Sequence, residues 1–324
     1  MLADKIKNKE AGIVLYGMTP PKENTAIEKV REIATKHLDR IKKLDIDGVV
    51  LYDIQDESAR NGEARPFPFL PTFEPQQYST DFLKGLDLPK VLFQCVGKHD
   101  ETSLKKWMNE NTYNSDSAVF VGNSSSDLIT DITMEKAFRL RNEFNPQMLV
   151  GGVAIPERHY SKSDEHIRMH NKIKNGVSFF TTQAVYNVEA SKNMLSEYYY
   201  YAKANNLEMA PVMMTLSPCG SKKTMEFMKW LGIHFPKWLK NDLTNSDDIL
   251  GKSVDTCVRT FKELLDFSLE KGIPIGANIE SVSIRKDEID ASIELLEKPS
   301  RLIFTSSPPF GPCSEEIMTS FFLS

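Results

Sequence analysis

Short apolar runs alternate with longer stretches of helical spacing along almost the whole chain. The clearest unit lies between Met148 and Asn187. There the runs Met148–Ile155 and Ser178–Gln183 flank about a dozen residues in which Ile167, His170, Ile173 and Lys174 share a helical stripe and Asn175-Gly176 forms a C-terminal stop. Both runs are too continuously apolar for strands with one wet face, so they predict a buried parallel sheet. Ile13–Met18, Gly48–Tyr52, Lys90–Cys95, Ser117–Gly122, Met209–Thr215 and Pro274–Ser281 bring the strand candidates to eight. Helical patterns lie between them, among them Asn24–Lys43, Glu101–Glu110, Ile132–Asn145, Val188–Asn205 and Val254–Lys271.

Eight βα units in 324 residues predict an α/β fold, a single closed (β/α)8 TIM barrel. A doubly wound open sheet is the rival, and the lack of a GxGxxG after the first strand counts against it. No repeat or linker divides the chain, so the expectation is one domain over 1–324. Its tail, 305–324, is rich in Pro and Ser and is expected to pack on or beyond the barrel. Two loops are extended. The one after strand two, Asp53–Gln77, carries RPFPFLPTFEP, whose four prolines oppose regular helix; it reads equally as a cover over a ligand or as an ordered structural loop. Unit seven is enlarged as well, with one helix over Ser221–Gly232 and a short second one starting at Pro236-Lys237-Trp238.

Charge and composition narrow the partners. The formal net charge is -5 with no basic cluster, which sets nucleic acid aside as a main partner. The N-terminus MLADKIKNKE is polar, with no visible signal peptide, and no apolar run approaches the roughly 20 residues that span a bilayer. Cys95, Cys219, Cys257 and Cys313 are widely spaced without a CxxC, so neither a zinc site nor a disulfide framework is indicated; a cytoplasmic protein is expected. The residues do not decide the oligomeric state, and a homo-oligomer is allowed.

In parallel α/β folds the chemistry sits at the C-terminal ends of the strands. Those ends carry Tyr16, Tyr52-Asp53, Gln94-Cys95, Asn123, Glu157 and His159, Gln183, Thr215 and Ser217, and the group Asn278, Glu280, Ser281 and Ser283. Most have a plain alternative. Asn123 before three serines reads as a turn, Cys95 as a small core residue, and the Tyr198–Tyr201 run, Trp230 and Trp238 as packing. His166 and His170 are i,i+4 on a helix but lack a third ligand, so no metal is expected. Glu280 is harder to dismiss, because a carboxylate at the end of an apolar strand is costly unless paired or wet. In a closed barrel strand eight adjoins strand one, which puts Glu280 beside Tyr16–Thr19, as an active-site acid or base or as a structural ion pair.

The pattern Pro156-Glu157-Arg158-His159 followed by Lys172, Gly176, Phe179 and Thr182-Gln183 resembles the catalytic domain of the methylenetetrahydrofolate reductase family. Pro20-Pro21, Tyr52, Gly232-Ile233 and Pro236-x-Trp238 extend the resemblance over about residues 12–298. It implies an FAD-containing oxidoreductase of folate one-carbon metabolism, reduced by NADH or NADPH and acting on a tetrahydrofolate derivative. By position, His159, Glu165 and Lys172 would lie along the FAD ribose and phosphates, with Tyr52 and Gln94 also on the cofactor side. Gln183 would be the amide that meets nicotinamide or pterin. Asn278 and Ser281 are further candidates for substrate binding.

Where the family carries a Glu on strand one this chain has Gly17, and where it carries R-G-D after strand four this chain has Val121-Gly122-Asn123. The H-L-T segment on strand three is here Leu92-Phe93-Gln94. With both family acids missing, catalysis would fall to Glu280, with Gln183 and Asn123. The alternatives are a flavin-free folate-dependent one-carbon transferase and a non-catalytic folate-binding relative. Arg60, Arg65, Lys222 and Lys223 are available at the rim for a (poly)glutamate tail.

Overall fold

A computed structural model of the chain describes residues 1–56, 64–111, 117–123 and 130–306. Its eight strands are β1 (Val14–Met18), β2 (Gly48–Leu51), β3 (Lys90–Cys95), β4 (Ser117–Val121), β5 (Val150–Ala154), β6 (Val177–Ala184), β7 (Val212–Leu216) and β8 (Ile275–Glu280). All pair in parallel in chain order, and β8 closes onto β1. The fold is a (β/α)8 barrel, and each strand lies within three residues of its predicted bounds.

The helices are α1 (Leu2–Lys7), α2 (Ile27–Ile41), α3 (Pro75–Phe82), α4 (Glu101–Asn111), α5 (Met134–Phe144), α6 (Pro156–Lys162), α7 (Glu165–Lys174), α8 (Val188–Asn205), α9 (Lys222–Trp230), α10 (Lys237–Thr244), α11 (Ile249–Leu269) and α12 (Lys286–Ser306). Side-chain oxygens cap several of them: Thr133 accepts from the Lys136 N–H, Asn187 from Ala190 and Ser221 from Thr224. Asn206 ends α8 in the left-handed conformation.

Strand alternation sorts the core into two layers. Val14, Tyr16, Val49, Leu51, Leu92, Phe120, Phe180, Met214 and Ile279 face the helices. Leu15, Val50, Val91, Phe93, Val119, Phe179 and Met213 fill the barrel interior. Leu2 and Ile6 of α1 join that inner cluster, each 1% exposed, so α1 plugs the N-terminal end. Burying the two side chains contributes about 3–6 kcal/mol. With that end sealed, the C-terminal mouth is left as the approach to the interior.

Four expectations need correction. The link between β5 and β6 is two helices rather than one, because Ser163 takes a left-handed turn after α6. The buried face of α7 is Glu165, His166, Met169 and His170, while Ile167 is 39% exposed. Pro75 does not oppose helix but starts α3, where its missing N–H costs nothing. Trp238 is 59% exposed and so is not core packing, unlike Trp230. Residues 305 and 306 of the expected tail belong to α12, and 307–324 lie outside the described residues. Among the described residues no helix is long and apolar enough to cross a membrane.

Candidate functional site

The inward positions change from apolar to polar at the last turn of the strands. Two residues beyond Phe179 comes Thr181, beyond Met213 comes Thr215, and beyond Val50 comes Tyr52; β8 contributes Asn278 and Glu280. These side chains connect. The Asn278 amide donates to the Tyr52 hydroxyl at 2.8 Å and to Thr215 Oγ1 at 3.0 Å. Tyr52 in turn donates to the Glu280 carboxylate. Glu280 is pushed up to about 7 by burial, partly offset by the Tyr52 hydrogen bond. Burial and the adjacent Glu280 charge both raise the Tyr52 hydroxyl well above its usual range, so it stays a donor.

Gly17 makes room for this group. It pairs with Glu280 across the β1–β8 closure, as strand adjacency predicts. A Cβ on Gly17 would fall 2.8 Å from Tyr52 Cε2, 2.8 Å from Tyr52 Oη and 3.2 Å from Glu280 Cβ. The volume that a side chain on β1 would need is therefore taken by Tyr52 and Glu280.

Two buried polar atoms in this layer have no partner in the protein. Asn278 Oδ1 and Thr181 Oγ1 make no hydrogen bond, although their residues are 0% and 1% exposed. Leaving such atoms unpaired costs about 1–3 kcal/mol each, which a ligand with donors of its own would recover. Gln183 reaches across the mouth and donates to the Leu231 carbonyl at 2.6 Å, so the segment after α9 lies over the end of β6.

Other predicted site residues lie elsewhere. Gln94 shares the outward parity of Leu92 and bonds His99 at 2.7 Å. Ser281 is spent on a local turn with Ser283. Asn123 is at the end of β4, donating to Thr130 at 3.1 Å. Asp53 pairs with Lys98 and accepts from the Cys95 N–H.

The three residues expected along a flavin are already engaged or covered. Glu165 is 0% exposed, accepts from the Ile155 N–H at 3.1 Å and pairs with Arg158 at 3.0 Å. Lys172 donates to the Val153 carbonyl at 2.6 Å, and burial brings it down to about 8. His159 is on the buried face of α6, edge-on to His166 at 5.5 Å, and held below its usual range by burial. His166 thus faces His159 rather than forming a pair with His170. Among the described residues no cluster of three metal-ligating side chains exists.

Sequence reasoning missed Glu288. This carboxylate is 0% exposed at the start of α12, accepts from Thr224 Oγ1 at 2.9 Å and lies against Gly220, at the N-terminal end of α9. Barrels often take phosphate in the loops after strands 7 and 8. Here that end of α9 is already filled by the Glu288 carboxyl, which burial holds above its usual range. Among the described residues, Glu165 and Lys172, which the resemblance put along the FAD phosphates, are bonded within the protein and do not face a cofactor.

At the rim, Arg65 lies 5.0 Å from the Phe227 ring and 5.4 Å from Trp230, and Lys223 lies 4.6 Å from Phe67. The segment after residue 63 therefore packs on α9 through cation and ring contacts. Arg60 is outside the described residues.

The chain is similar to a Clostridium thermocellum protein that binds two copies of 5-methyl-5,6,7,8-tetrahydrofolic acid. Identity is 50%, the match covers 93% of this chain and 99% of that one, and the TM-score is 0.83. This chain belongs to the family of that folate-binding barrel protein. A dihydropteroate synthase from Vibrio fischeri shares 10% identity over 93% of this chain and 95% of its own, with a TM-score of 0.45. A likeness that remote says nothing about chemistry. No family model and no curated protein matches the chain.

Proposed function

We propose that this protein binds a reduced folate of the 5-methyltetrahydrofolate kind at the C-terminal mouth of the barrel, without a flavin. The observation that carries the reading is the unpaired Asn278 Oδ1, buried beside the Tyr52–Glu280 pair in a chain 50% identical to a methyltetrahydrofolate binder. A pterin presents an amino group and a ring N–H on one edge. Asn278 Oδ1 and the Glu280 carboxylate are acceptors of the matching kind, and Thr181 can answer a ring oxygen or nitrogen. Lys222 and Lys223 stand ready for the glutamate end.

The flavoprotein reductase reading finds no such support. Its cofactor contacts at Glu165 and Lys172 are spent inside the protein, and the Glu288 side chain fills the N-terminal end of α9. One observation favours a second reading, one-carbon transfer. Glu280, near neutrality in its proton affinity, could protonate the folate nitrogen as the methyl group leaves for an acceptor nucleophile.

Calorimetric titration with 5-methyltetrahydrofolate tests the main reading. The wild type should bind as purified, without added FAD. Asn278→Ala should lose binding at the mouth by about ten- to a hundredfold, the worth of one or two buried hydrogen bonds. Unchanged binding by Asn278→Ala, or a requirement for FAD, would overturn it.

A further inference from the structure

On the β5–β6 side of the mouth, away from Asn278, two rings lie nearly parallel at the surface. Tyr160 of α6 and His234 of the segment after α9 have centroids 6.5 Å apart and planes 14° apart. That spacing is at the far end of the range over which rings attract each other, so the pair gains little from mutual contact. Tyr160 is 70% exposed and His234 is exposed.

The platform is held in place. Asn187 caps α8 through its carbonyl oxygen and donates its amide to His234 Nδ1 at 3.0 Å, which fixes the ring and leaves Nε2 as the protonated nitrogen. Beneath it lies Glu157, three residues before Tyr160 and so on the same face of α6. Both Glu157 oxygens are shielded from solvent and meet no side-chain donor; the groups that act on them are the backbone N–H of Glu157 and of His234. Burial pushes this carboxyl up to about 7. A buried carboxyl without a side-chain partner, beside two exposed rings, is what a flat heterocycle with an N–H edge requires.

We infer that Tyr160, His234 and Glu157 form a second binding site, distinct from the Asn278 mouth, for a planar pterin-type ring. The rings stack on it, and Glu157 turns to accept from its amino edge. The choice of ligand class rests on the folate reading above; the platform itself does not.

The stoichiometry of 5-methyltetrahydrofolate binding, measured by calorimetry on the full chain, separates the two. Wild type should take up two equivalents. Tyr160→Ala should lose one, weakened at least about tenfold by the lost stack, and Tyr160→Phe should restore it. Asn278→Ala should lose the other while keeping the Tyr160 equivalent. A wild type that binds one equivalent, or a Tyr160→Ala variant that still binds two, overturns this inference and leaves the mouth site standing. Two equivalents in Asn278→Ala, with one lost in Tyr160→Ala, would overturn the mouth assignment instead. Thermal melting of each variant checks folding; the exposure of Tyr160 means its replacement should leave the melt unchanged.

Discussion

Gly17→Ala adds one carbon where the structure has no space. The new Cβ would sit 2.8 Å from both Cε2 and Oη of Tyr52 and 3.2 Å from Glu280 Cβ. Tyr52 cannot yield easily, because Phe93 packs edge-on against it at 4.7 Å and its hydroxyl is tied to Asn278 and Glu280. Overpacking costs about 1–3 kcal/mol, and strain on two hydrogen bonds adds about 1 more, so the expected loss is about 2–4 kcal/mol. For a chain of this size that lowers the melting temperature by roughly 3–6 °C. Folate binding should weaken in parallel, since Glu280 and Asn278 lose their common partner. Gly85→Ala is the control: its nearest neighbour would be Leu38 at 4.0 Å, and its melt should stay within about 1 °C of wild type. If Gly17→Ala melts and binds like wild type, the Tyr52–Glu280 wedge is wrong.

Two further outcomes follow from charge. Glu280 holds its proton to about pH 7, against 4.5 for the free side chain, so its contribution to stability falls as pH rises through that window. Glu280→Gln should therefore gain melting temperature relative to wild type between pH 5 and pH 8 while weakening folate; a constant difference across that range would remove Glu280 as the titrating group. His37, bonded to Tyr78 and lowered from 6.5 to about 4 by burial and by the Arg40 charge, has the opposite sign. Its contribution is complete above pH 6.5 and is lost as pH falls toward 4, so His37→Gln should show a shallower fall in melting temperature over that interval than wild type. An equally steep fall would place the acid sensitivity elsewhere.

Much of this architecture was legible because period and burial coincide. Helix α8 runs from Val188 to Asn205 as its pattern predicts, since Asn187 and Asn206 supply both ends from local chemistry alone. Glu280 was legible for a topological reason: closing eight parallel strands sets β8 beside β1 and so the carboxylate beside Gly17. Helix α7 was misread because its inner face is polar; Glu165 satisfies its charge with Arg158, and His166 and His170 pack on Tyr201. Hydrophobic periodicity cannot see a face stabilised that way. Gln94 was misplaced by strand parity, one residue from an inward position. Glu288 and the Tyr160–His234 platform have no local signal, because each is made by segments far apart in the chain.

We place a reduced pterin in the barrel mouth, against Asn278 and Glu280. A crystal structure of the protein grown with 5-methyltetrahydrofolate tests it most directly. Pterin density is expected inside the C-terminal mouth, with Asn278 Oδ1 and the Glu280 carboxylate hydrogen-bonded to it and no flavin in the protein. Folate seated only outside the barrel, with Asn278 Oδ1 still unpaired by the ligand, would contradict it.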